Sequence, residues 1–90
     1  MCPACEGFSE KIRIHTPGQY FNLLTQVKEV LAQGTLVLLH GNTDLADLGP
    51  TRPWPDDLIE HTFECPRCHQ QFRLAVETYH GSGGSWQPIN

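Results

Sequence analysis

The residues best suited to chemistry in this chain are its four cysteines. They form two tetrads of one design, Cys2-Pro3-Ala4-Cys5 and Cys65-Pro66-Arg67-Cys68. Two residues between thiols let both sulfurs reach one point from a tight turn, and a proline after the first cysteine stiffens that turn. Such pairs serve dithiol redox exchange, structural disulfides, or the two halves of one metal site. A redox centre needs its pair after a strand and at a helix N-terminus, where a thiol pKa is lowered. Only Met1 precedes Cys2, and Glu6-Gly7 follow Cys5. Disulfides belong to oxidising compartments. Residues 1–20 show no basic region followed by an apolar one, as a secretory leader would. A cytoplasmic protein is therefore expected. The pairing then points to one closed zinc site with Cys2, Cys5, Cys65 and Cys68 as ligands. Spacing alone also admits iron.

The second tetrad lies in HTFECPRCHQQFRLAVETY, between two alternating segments. That pattern is a hairpin whose tip carries two thiolates. It resembles the zinc knuckle of zinc-ribbon proteins, with His69 where those proteins commonly have glycine. The residue after the second cysteine of a knuckle often needs an unusual backbone conformation. The N-terminal tetrad resembles a second knuckle that lacks a leading strand. The spacer between the tetrads is far longer than the roughly 15–20 residues of compact ribbons. The resemblance covers about a third of the chain and implies a site rather than an activity.

The elements that must position these thiolates can be read from periodicity. Residues 11–15 alternate polar and apolar, as a short half-buried strand does. Thr16, Pro17 and Gln19 form a helix start, with an N-cap, a proline at the first helical position and a capping-box partner. Tyr20, Leu23, Leu24, Val27, Val30 and Leu31 then recur at three- and four-residue steps up to Gly34, which predicts a helix over 17–33. Residues 35–39 are continuously apolar and read as an interior strand. Residues 40–57 hold three prolines and two glycines. They read as a long surface excursion with one helical turn around 44–48. Strands are expected at about 59–64 and 71–79, and a glycine-rich turn at 79–85 lets Trp86 fold back onto the sheet. The other reading of that turn is an anion-binding nest of backbone N–H groups. The expected fold is α+β, a single domain over 1–90. One amphipathic helix lies on a small, mostly antiparallel sheet, and the zinc site joins the N-terminus to the late hairpin.

Composition narrows the function. Ninety residues bury only roughly two-thirds of the unfolded chain's surface, so a metal would add needed stability. No apolar run reaches the length of about 18 residues that a membrane span needs. Six Lys+Arg stand against ten Asp+Glu, a net charge of −4. Four zinc-bound thiolates take this to about −6, unsuited to a phosphate backbone. Four cysteines close the metal's coordination sphere, which argues against zinc hydrolysis. His15, His40, His61 and His69 read as surface or satisfied residues. The expectation is a non-catalytic protein that binds a basic protein partner, such as an inhibitor or immunity-type protein masking a toxin or enzyme. Its recognition surface would be the excursion, with Asp44, Asp47, Trp54, Asp56 and Asp57 as contacts. Trp54 also reads as a plug over the core, the commoner role for such a residue in a small domain. The alternatives are a nucleic-acid-associated zinc ribbon of transcription or translation, and a small enzyme using His80 and the glycine loop.

Overall fold

Thr16 does cap a helix. In the computed structural model, which describes residues 3, 5–49, 54, 57–78 and 83–89 (Asp47 by its backbone alone), α1 runs over Pro17–Ala32. The Thr16 hydroxyl accepts from the Gln19 N–H at 3.2 Å, and the Gln19 side chain accepts from the Thr16 N–H at 3.1 Å. Tyr20, Leu24 and Val27 form its buried stripe. Gly34 ends it with φ +79, a conformation side chains with a Cβ resist.

Five strands form one sheet: β1 (Ile12–Ile14), β2 (Val37–Gly41), β3 (Leu58–Glu64), β4 (Gln71–Glu77) and β5 (Gly83–Ile89). Their order is β1-β5-β4-β3-β2, and every pairing is antiparallel. β2 to β5 are a meander, while β1 and β2 lie at opposite edges. The connection between them must therefore cross the sheet. α1, with 16 residues, is about 24 Å long, and five strands span about 19 Å. The helix length suits the crossing.

Alternation along the strands builds the core. Ile59, His61 and Phe63 of β3 lie opposite Val76, Leu74 and Phe72 of β4. All six are buried, with Trp86 of β5 and Ile14 of β1. Phe72 stacks on Trp86 at 5.4 Å between ring centroids. The opposite face is polar and carries the Arg73–Glu60 pair at 2.9 Å. The expected α+β class, one helix on an antiparallel sheet, is the class observed. Among the described residues, no helix is long and apolar enough to cross a membrane.

Two strands depart from the sequence reading. The apolar run after Gly34 was expected inside the sheet, yet β2 is an edge strand and all five of its residues are exposed. A continuous apolar run fits burial on both faces, but burial requires a neighbour on each side, and among the described residues β2 has β3 alone. The tail is more than a turn, because Gly83–Ile89 forms β5 between β4 and β1. Glycine and proline usually speak against a strand. Here β1 pairs only as far as Trp86, so Pro88 sits where that side of β5 has no ladder to join.

Candidate metal centre

Two pieces of chain far apart in sequence bring three sulfurs together. Cys5 directly precedes a single 3-10 turn at Glu6–Phe8. That turn is fastened to the sheet: Phe8 packs edge-on against Phe72 at 6.3 Å, and the Trp86 indole N–H donates to the Phe8 carbonyl at 2.9 Å. Cys65 continues from β3, and Cys68 lies three residues on, in the connection to β4. The Sγ atoms of Cys5, Cys65 and Cys68 all lie within 4.8 Å of one another. The Cys5 and Cys68 sulfurs are 3.4 Å apart. Zinc bonded to sulfur at about 2.3 Å in a tetrahedron holds its sulfurs about 3.8 Å apart. One ion can thus be reached by all three. Cys5 and Cys65 are buried and Cys68 is half-buried. Cys2, the fourth expected ligand, lies outside the described residues.

The second tetrad closes as a tight turn. The His69 N–H donates to the Cys65 carbonyl at 2.8 Å, and the Cys65 N–H donates to the Gln70 carbonyl at 2.9 Å. To make both bonds, His69 adopts φ 65. A left-handed backbone costs a residue with a Cβ roughly 1–2 kcal/mol. His69 projects its ring into solvent, with Nδ1 3.7 Å from the Glu64 carboxylate. An exposed pair of that length contributes little.

The expected partner contacts are distributed as follows. The Asp44 carboxylate accepts from the Ala46 N–H at 3.0 Å and caps a 3-10 turn at Leu45–Asp47. Asp47 belongs to that turn. Asp57 is exposed, and its carbonyl accepts from the Thr78 N–H at 2.7 Å. Trp54 is half-buried; it stacks on Phe21 at 5.2 Å, with the planes 12° apart, and lies 5.7 Å from Tyr20. Asp56 and His80 lie outside the described residues.

Sequence reasoning missed the clamp that starts the excursion. The Asn42 side chain accepts from the Glu60 N–H at 3.0 Å and donates to the Leu58 carbonyl. His61 is buried, and its Nε2 donates to the Thr43 carbonyl at 2.8 Å, which fixes the tautomer. A Cβ on Gly41 would run into that imidazole. The only sequence signal was His61 itself, a polar residue in phase with Ile59 and Phe63. Ionisable groups are perturbed on both sides of the sheet. Burial pushes the Tyr20 phenol up to about 12. The hydrogen bond from Arg73 holds the Glu60 carboxyl below its ordinary value.

Comparison of the chain with protein-family models, curated proteins and solved structures gives no match.

Proposed function

We infer that this is a non-catalytic protein-binding module whose fold is closed by zinc on Cys2, Cys5, Cys65 and Cys68. It would act as an inhibitor or immunity-type protein that masks a basic toxin or enzyme. The observation that carries the metal half is the gathering of Cys5, Cys65 and Cys68 from distant parts of the chain into one partly buried cluster. Sulfur ligands alone suit zinc or iron rather than magnesium or calcium. A bound metal ion would hold the N-terminal segment against the β3–β4 hairpin, and a closed thiolate sphere suits architecture rather than hydrolysis. The binding half rests on the acidic balance and on an excursion pinned at its base by Asn42 and His61. A pinned loop loses less entropy when a partner docks than a loose one. Exposed acids such as Asp44 and Asp57 would steer a basic partner, acting mainly on the association rate.

Native mass spectrometry tests the first half. One zinc per chain supports it, and an apoprotein or two disulfides overturns it. For the second half, wild type and an Asp44→Lys/Asp57→Lys variant are each used to capture proteins from the source organism. A basic protein retained by wild type and lost by the variant supports the reading. No such difference overturns it.

A further inference from the structure

The two edges of the sheet are built differently. β1 has three residues, carries Arg13, and is preceded by Lys11. Short length and charge are how natural sheets blunt an edge, whose backbone N–H and C=O groups would otherwise template another strand. β2 has five residues, Val37-Leu38-Leu39-His40-Gly41, with no proline and no Asp, Glu, Lys or Arg. Leu36 is buried, but Val37, Leu38 and Leu39 are 40%, 43% and 42% exposed. The helix-covered core thus ends at the start of β2, and apolar side chains stand on a strand with one open side. Its one blunting device is a bulge between Leu38 and His40.

We propose that β2 pairs antiparallel with β2 of a second copy of this chain, about a two-fold axis, so that two five-stranded sheets become one. An unpaired ladder calls for a strand, and this strand suits itself. A two-fold axis between antiparallel strands sets one residue opposite its own twin. With Leu39, the middle residue, on the axis, Val37 faces Gly41 of the second copy and Leu38 faces His40. The bulge falls at the axis and leaves Val37-Leu38 and His40-Gly41 as the pairing segments. No charged side chain meets its twin. The antiparallel pairing sets the start of β2 in one copy beside the end of β2 in the other, where the chain runs on to Asp44. Gly34 and Thr35 share a surface cleft with Arg67. Arg67 of each copy and Asp44 of the other then share one end of the seam, twice by symmetry, so that unlike charges face each other there. The net charge of −4 on each copy opposes association only weakly, since exposed charges are screened beyond about 8 Å at physiological salt. The pairing goes beyond the partner-binding reading and does not depend on it.

Light scattering on the metal-loaded full chain, over a series of concentrations, tests the pairing. The expected result is a mass rising from one chain to two. Leu39→Lys places two like charges on the axis and should hold the protein at one chain, with its circular dichroism and metal content unchanged. Arg67→Glu should weaken the dimer roughly three- to tenfold, as two exposed ion pairs would, and adding Asp44→Arg should restore it. The charge swap decides the matter by itself if Leu39→Lys fails to fold. A single-chain mass at every concentration, a dimer indifferent to Leu39→Lys, or a charge swap without effect each overturns the proposal.

Discussion

Two side chains sit where their local role and their functional role can be separated. Trp54 stacks on Phe21 and borders Tyr20, so it covers the first turns of α1. Removing a half-buried indole should cost about 2 kcal/mol, less than the value for full burial. Trp54→Ala should then melt roughly 10 °C lower. If the variant melts like wild type and loses a partner instead, Trp54 is an anchor rather than a cover. His69 presents the opposite case. Its φ of 65 serves the turn between Cys65 and Gln70, and among the described residues its exposed ring makes only the long contact to Glu64. His69→Gly should relieve the strained backbone and raise stability by up to about 1 kcal/mol. A chemical-denaturation midpoint that falls would show that the ring itself matters.

At the scale of elements, the join between β2 and β3 bears the excursion. Gly41 lies opposite His61, and the imidazole fills the space a Cβ would take. Gly41→Ala must displace the ring and break its bond to the Thr43 carbonyl. Overpacking of this kind costs about 1–3 kcal/mol. Amide exchange at residues 42–48 should speed up with it, and unchanged protection there would contradict the clamp. Across β3 and β4, the Arg73 hydrogen bond lowers the Glu60 pKa. A lowered carboxylate pKa stabilises the fold above the group's ordinary value, and the gain disappears as pH falls through the lowered one. Both side chains are about one-third exposed, so solvent screening keeps the contribution small. An NMR titration should find Glu60 below the usual carboxylate range and returning to it in Arg73→Gln. The absence of that return would rule out Arg73 as the cause.

For the whole molecule, the cysteine cluster closes a loop running from Cys5 to Cys68, most of the chain. Structural zinc contributes roughly 10–16 kcal/mol in small peptides, while whole domains are stable by roughly 5–15 kcal/mol. With zinc bound as proposed, Cys65→Ser should yield unfolded or insoluble protein. Chelation, or acid that protonates the thiolates, should unfold the wild type with release of the metal. A chelated protein that keeps its melting temperature would remove the metal from the account of stability. The acidic balance extends to nucleic acid: no binding of duplex DNA or RNA is expected at physiological salt. A micromolar dissociation constant by fluorescence anisotropy would reverse that expectation.

Local signals determined much of this by themselves. Thr16, Pro17 and Gln19 act within one turn, so the helix start is legible without its surroundings. Cys65 and Cys68 are likewise placed by their own turn, and the alternation from Ile59 to Val76 marks the hairpin that carries them. The meeting of Cys5 with that hairpin is suggested by matching tetrads, but distance along a chain does not encode distance in space. It took the Phe8 contacts with Phe72 and Trp86 to bring Cys5 there. The place of β2 and the existence of β5 were decided by tertiary structure alone. Val37, Leu38 and Leu39 have the composition of an interior strand, yet they lie at the edge, because a residue type records a preference for burial and not the number of neighbours available. Gly83–Ile89 has the composition of a loop, yet it is a strand. The crowding of Gly84 against Ala75 and Val76, and the end of β1 pairing at Trp86, make glycine and proline suitable there. Both are properties of the neighbouring strands.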